Sequence, residues 1–465
     1  MNRFFRILFM IFLFLSAGVF QIGRAEAKMV SVGLSIEKAS IKVSSSSSIT
    51  ATDARGKRHP IGTSAVFRSS GKGSASVGSR TFTLPVTLSS GHPLSFNGRR
   101  YRGTFRILRG KSGITLVNVL DLEDYLRGVL KMEVNPAWHM EAVKAQAVVS
   151  RTYALRSIQQ NNGKNGYDLG DSVLSQVYRG MNAEDKRADE AIRATKGVVV
   201  KYSGSVAFTP FHSDSGGATA DVSTVWGGTI PYLRGVKEPF PPSSPNSTWE
   251  ARLSRAQVEK ALRQSGADVG SLRALRIGDV DPFGRSNTLT AVGTKGTKHV
   301  KSHSFRMAAG STVIKSTSFS LASPSAGTSP VPLPVPVPRT EKQKQFPAKE
   351  VPTSNTPMSA SEERQLTALT EQGIFNSEEL MDMLMNPEKR KGYLIRALRT
   401  TRPVQPSPGP LPAFPSTGGS FVFRGKGWGH GVGLSQWGAK KMAEKGWDYK
   451  KIIQHYYPGT TVGSM

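Results

Sequence analysis

Glu133 has the neighbours a reacting group needs. It stands in Gly128-Val-Leu-Lys-Met-Glu133-Val-Asn-Pro136-Ala-Trp138, just ahead of the helical run Glu141-Ala-Val-Lys144-Ala-Gln146-Ala-Val-Val-Ser-Arg151-Thr-Tyr153-Ala-Leu155. At roughly 100° per residue, the spacing of Lys144 and Arg151 puts them on nearly one helix face. A carboxyl group beside two fixed cations suits acid–base chemistry on a polar polymer. A plainer reading has Glu133 as a helix-entry acid favoured by the N-terminal dipole, with the two cations solvated or ion-paired.

The elements that must hold these residues are legible in outline. Residues 30–36 and 82–88 alternate apolar and small polar side chains, as half-buried strands do, and 101–120 continues that pattern. A short helix is expected over 121–126. A long helix is expected over 137–160, with Asn135 as cap, Pro136 in the first turn, and Ala142, Ala145, Ala147 and Ala154 permitting close packing. A helix over 183–195 and a strand over 198–202 follow. The expected class is α+β: mainly antiparallel strands around a long central helix.

The composition changes abruptly at 322. Residues 323–338 alternate Val-Pro and Leu-Pro, 361–370 and 377–385 have helical patterning, 389–402 is basic, and 403–415 is again proline-rich. Residues 322–417 therefore read as an insertion of Pro-rich linkers around a small helical element, with Ser361 and Asn376 or Ser377 as caps. It acts as a tether to anionic polymer, a partner-docking element or a spacer. Ordered sequence resumes in 418–465, where Gly425-Lys-Gly-Trp428-Gly-His430-Gly-Val-Gly433-Leu-Ser-Gln436-Trp-Gly438 is dense in glycine around tryptophan and histidine.

Sixty-two Lys+Arg against 33 Asp+Glu give a formal charge of +29. That field favours polyanions: nucleic acid, anionic membrane or acidic wall polymer. The N-terminus narrows the choice. Arg3 and Arg6, an apolar run over 7–20, and Ala25-Glu26-Ala27 match the charged, apolar and small-residue parts of a signal peptide, expected to be removed after residue 27. Export disfavours nucleic acid as a partner and points to the periplasm or cell wall, with 7–20 as a membrane anchor if cleavage fails. The chain has no cysteine, so no disulfide and no thiolate metal site is available to it.

The block 133–155, the segment Phe211-His-Ser-Asp-Ser215-Gly216-Gly217-Ala-Thr219 with Trp226-Gly-Gly228, the loop Gly427-Trp-Gly-His-Gly-Val-Gly433 with Ser435-Gln436, and Tyr456-Tyr-Pro-Gly-Thr460 occur in that order. Together they resemble the stage II sporulation protein D (SpoIID)/LytB family over about 101–321 and 421–462. The expected organisation is a β-rich region over 28–104, a SpoIID-like core over 105–321 and 418–465, and the insertion between its parts. The resemblance implies a peptidoglycan lytic transglycosylase that cuts between N-acetylmuramic acid (MurNAc) and N-acetylglucosamine (GlcNAc), preferring glycan stripped of stem peptides. It puts the essential acid at Glu133, with Lys144 and Arg151 in support.

One acid suffices for such an enzyme, whereas ordinary glycoside hydrolysis uses two carboxylates. Glu133 must then be protonated near neutral pH, so partial burial is expected to raise its pKa. Lys144 and Arg151 are assigned to the muramoyl lactyl carboxylate, because cations beside the acid would oppose that rise. His430 is either a sugar ligand or a structural histidine, and Gln436 and Tyr456 either bind sugar or pack in the core. Some relatives bind zinc through cysteines near the segment matching 212–217. Ser213 and Ser215 stand there in this chain, and no metal or other cofactor is expected. The competing function is that of a LytB-like, non-catalytic, glycan-binding enhancer of a cell-wall amidase.

Overall fold

The computed structural model describes residues 28–322, 358–371, 383, 389–400 and 420–465, apart from short gaps at 72, 162, 164–165, 172–174 and 242–243. The expected signal peptide, the proline-rich arms and nearly all of the helix expected over 377–385 lie outside the described residues. The chain is α+β, and its sheets are antiparallel except for two short parallel pairings, Val32–Gly33 with Leu169–Gly170 and Phe211–His212 with Leu434–Ser435.

Alternation along the first strands has the consequence expected of it. A seven-stranded and a six-stranded sheet enclose Val30, Val32, Ile41, Val43, Phe67, Leu88, Phe105, Ile107 and Leu116. The single strand expected over 82–88 is instead two, Arg80–Thr83 and Val86–Ser90, in different sheets. Pro85 lies between them. It has no N–H for a ladder, and the chain changes sheets there.

The central helix runs Met140–Asn161 and starts later than expected. Asn135 and Pro136 form a separate turn, in which Asn135 Oδ1 accepts from the Ala137 N–H and the Trp138 N–H reaches Asn135 O. The helix entry instead has His139, whose Nδ1 accepts from the Glu141 N–H at 3.4 Å. This helix separates two cores and so lacks a single apolar stripe. Val143, Ala147, Ala154 and Leu155 join the β-rich core, while Ala142, Ala145, Val148 and Val149 join a second with Val200, Val432, Leu434, Met442 and Ile453. Alanines on both sides permit that close approach.

A third core, of Val258, Leu262, Leu272, Leu289, Phe305, Phe319 and Phe423, gathers within 249–321 and takes in the strand Ser420–Gly425. That strand lies between Trp249–Ser254 and Phe319–Ala322 in one antiparallel sheet, so the two ends of the insertion leave neighbouring strands. Within the insertion, helices Ala360–Glu371 and Arg390–Thr400 pack through Leu366, Leu369, Tyr393, Leu394 and Ala397. Ser359, not Ser361, caps the first: its Oγ accepts from the Glu362 N–H, and Glu362 Oε2 accepts from the Ser359 N–H. The pair is docked on the core, where the Tyr167 hydroxyl donates to Glu363 Oε2 at 2.5 Å.

Candidate functional site

Glu133 ends the one-turn helix Leu130–Glu133, seven positions before the central helix begins. It is therefore not placed at the N-terminal dipole of that helix. Its Oε1 accepts from the Val177 N–H at 3.4 Å, and its backbone oxygen accepts from Gln436 Nε2 at 2.9 Å. Burial raises the carboxyl from 4.5 to about 6, against the lowering effect of the Val177 N–H. Neither Lys144 nor Arg151 is among the causes. The acid thus has the elevated pKa the chemistry requires, with no cation working against it.

A polar ladder connects the acid to the scaffold. Gln436 Nε2 also lies 3.4 Å from Gln146 Oε1, Gln146 Nε2 donates to Ser150 Oγ at 3.1 Å, and Gln176 Nε2 reaches Ser150 O at 3.4 Å. The Tyr125 hydroxyl closes the series on Gln176 Oε1 at 3.2 Å. Tyr153 continues the same helix face. Burial pushes its phenol up to about 12, with Arg390 of the insertion lowering it and Glu133 raising it. Gln146, Ser150 and Tyr153 stand at i, i+4 and i+7, a spacing that marks a polar face in the sequence. The more conspicuous charges of Lys144 and Arg151 mask it.

Three of the expected substrate ligands are structural. Arg151 is fully buried: Nε and Nη2 grip Glu123 at 2.8 and 2.7 Å, Nη1 donates to Val198 O, and Nη2 also reaches Ile192 O. Its donors are committed to holding the central helix against Lys186–Ala194 and the strand Val198–Tyr202, and none is left for a ligand. Tyr456 is buried and donates to Glu238 Oε1 at 2.8 Å. His430 donates from Nε2 to Phe211 O at 2.9 Å and accepts at Nδ1 from the Val432 N–H, while burial pushes its pKa down to about 3. A neutral imidazole with both nitrogens engaged ties two loops together.

Lys144 is half-buried and paired with Glu141 at 2.7 Å, and Glu141 Oε2 accepts from the Tyr449 N–H. Only Gln436 of these five ligands touches Glu133, and it does so at the backbone. Sequence reasoning missed Gln146, Gln176 and Tyr153 as neighbours of the acid.

The glycine-rich loop makes that arrangement possible by close backbone approach. At Gly427, with φ +76°, a Cβ would lie 2.5 Å from Asp214 O and from Gly216 N, so the loop can cross 214–216 only as glycine. Trp428 and Asp214 then exchange backbone hydrogen bonds, and Ser435 Oγ accepts from the N–H groups of Ser215 and Gly438. The His212 and His430 rings are 5.4 Å apart, and His455 packs on Trp447 and Tyr456. Among the described residues, no three His, Cys, Asp or Glu side chains converge as metal ligands would.

The chain is α+β, and the segment that follows its glycine-rich crossing carries Gln436 to the backbone of one desolvated acid. Residues 110–202, which include Glu133, match the family model SpoIID, described as stage II sporulation protein. It is similar to the amidase enhancer of Bacillus subtilis (strain 168), with 27% identity over 383 residues, covering 82% of this chain and 46% of that protein. Stage II sporulation protein D of Bacillus amyloliquefaciens is 23% identical over 360 residues, covering 74% of this chain and 75% of the relative. An uncharacterized protein of Brachyspira hyodysenteriae is 37% identical over 142 residues, 30% of this chain and 39% of that protein. The chain thus spans less than half the length of two of these three relatives.

Proposed function

We propose that this chain is an exported peptidoglycan lytic transglycosylase, cleaving MurNAc–GlcNAc bonds with Glu133 as its single acid/base residue. The observation that carries the reading is a carboxyl group held near pKa 6 by burial, with no charged group among the causes of that shift. Protonated Glu133 gives its proton to the glycosidic oxygen as the C1–O bond breaks. The resulting carboxylate then takes the proton of the muramoyl C6 hydroxyl as that oxygen closes onto C1. The products are a free GlcNAc hydroxyl and a 1,6-anhydro-MurNAc end. Water is not consumed, and the acid is regenerated.

The backbone contact from Gln436 and the N–H of Val177 hold Glu133 from two sides, so the proton is presented in a fixed direction. The net charge of +29 favours residence on an anionic envelope. The assay is mass spectrometry of soluble products from purified peptidoglycan, intact and amidase-stripped, with wild type and Glu133→Gln. Anhydro-muramoyl ends from wild type alone support the reading. Hydrated reducing ends refute it in favour of a hydrolase.

A second reading is favoured by a different observation: a relative aligned with 82% of this chain is named amidase enhancer. In that reading the same site grips glycan without cutting it and assists a cell-wall amidase. Absence of cleavage on either substrate, together with stimulation of an amidase, would support it.

A further inference from the structure

We propose that Trp138, Trp437 and Lys440 form a saccharide subsite beside Glu133, which takes an N-acetylated aminosugar ring bearing a carboxylate. The proposal rests on the reading of the surroundings of Glu133 as a glycan site and assigns a binding surface within them.

Trp138 closes the turn that follows Glu133, and Trp437 follows Gln436, whose amide holds the Glu133 backbone. The two indoles come from opposite ends of the chain and meet with ring centroids 4.8 Å apart at 59°. Both are half-buried. Trp138 packs against the edge of the β-rich core whereas Trp437 joins none of the apolar cores, and neither indole N–H has a protein acceptor among the described residues. A tryptophan serving only as packing would be expected inside a core with its N–H satisfied. An aromatic ring with a free edge donor instead suits a pyranose, offering an apolar face to the C–H groups and a donor to a hydroxyl.

Lys440 supplies the charge. One helical turn after Trp437, its ammonium lies 5.3 Å from the Trp437 ring centroid and 5.9 Å from that of Trp138. Glu444 holds it there at 2.5 Å. A ligand carboxylate over the indoles would meet this ammonium in place of, or beside, Glu444. Arg187 fixes the platform from below, donating to Pro136 O at 2.9 Å and Trp138 O at 3.1 Å. The cation role that spacing suggested for Lys144 and Arg151 thus passes to a residue far away in sequence. Arg151 is sealed in the interior, whereas Lys440 lies against the two half-buried indoles.

The test measures binding in a Glu133→Gln background, so that turnover plays no part. Two probes are titrated by calorimetry: chitotetraose, which is neutral, and a peptide-free MurNAc–GlcNAc tetrasaccharide, which carries carboxylates. Trp437→Ala is expected to weaken both by about tenfold or more, and Trp437→Phe to restore most of the loss. Lys440→Gln is expected to weaken only the muramoyl probe, by about fivefold. Unchanged affinities in Trp437→Ala and Trp437→Phe, with a lowered melting temperature, would overturn the proposal and leave the pair as a tie between two loops. Equal losses on both probes in Lys440→Gln would overturn the carboxylate assignment. If wild type cuts nothing but the platform variants lose binding, the transglycosylase reading fails and the subsite stands. Cleavage by wild type with unchanged binding in the variants is the reverse case.

Discussion

Replacing Glu133 by Gln keeps shape and the acceptor for the Val177 N–H while removing the charge. Burial lifts the carboxyl from 4.5 to about 6. The folded state therefore holds a proton that the unfolded chain has released between those two values. The sign follows: the group costs nothing below the lower value, and stability falls as pH rises through the window until the full penalty stands above the upper one. The gap between 4.5 and about 6 corresponds to about 2 kcal/mol, an upper value because the half-buried side chain keeps some contact with water. Glu133→Gln should thus match wild type at pH 4 and exceed it by up to about 2 kcal/mol at pH 8, read from denaturant unfolding at each pH. The same shift leaves about one tenth of the acid protonated at pH 7, roughly thirtyfold more than an unperturbed glutamic acid would keep. Wild-type cleavage should be flat below about pH 6 and fall about tenfold per unit above it. A stability difference independent of pH, or an activity limb near 4.5, would refute the claim that burial sets the proton state of this residue.

Two further substitutions and one segment replacement separate scaffold from site. Arg151→Met removes one partner of the buried pair with Glu123 and should lower stability by about 3–5 kcal/mol. Glycan affinity of the folded fraction, measured by calorimetry at low temperature, should be unchanged; selective loss of affinity would return Arg151 to the binding site. Gln436→Ala breaks the 2.9 Å bond to the Glu133 backbone and should cut kcat by about tenfold with KM nearly constant, because orientation is lost and contact is not. Replacing 323–419 with a two-residue turn joins strands already paired through Ala322 and Val422. The shortened protein should unfold cooperatively, within about 1–3 kcal/mol of the parent once the Tyr167–Glu363 bond is lost; loss of cooperativity would make the insertion part of the core.

Much of this was legible because it is local. Alternation over 30–36 becomes the strand Met29–Lys38, and the alanine-rich stretch becomes a helix buried on two sides. The raised pKa of Glu133 followed from the requirement that a single acid be protonated. What escaped depends on partners distant in sequence. Spacing places Lys144 and Arg151 at similar angles around the helix axis, but it does not reveal that Glu123, on a separate helix, waits beside Arg151; the Glu141–Lys144 pair at i,i+3 is by contrast local. The splitting of 82–88 between two sheets hinges on one proline, and the place of Ser420–Gly425 between Trp249–Ser254 and Phe319–Ala322 leaves no local trace at all. His430 looked chemical by residue type alone. Its burial and two backbone bonds come from the crossing of chains that glycine permits.

The motifs thus divide their labour unevenly. Phe211 and His212 pair with Leu434 and Ser435, the Tyr457 hydroxyl reaches Pro210 O at 2.7 Å, and Tyr456 holds Glu238. All of these seat the segment carrying Gln436, whose amide in turn reaches the Glu133 backbone. Three motifs therefore build a frame, and in the proposed mechanism one residue of the fourth carries the proton. If the proposed glycan site grips its ligand whether or not the acid acts, cleavage and amidase enhancement are separable. Glu133→Gln separates them: it should abolish anhydro-muramoyl products while leaving any stimulation of an amidase intact. Stimulation that disappears together with cleavage would mean that enhancement is a consequence of cutting, not of gripping, and would remove the independent ground for the enhancer reading.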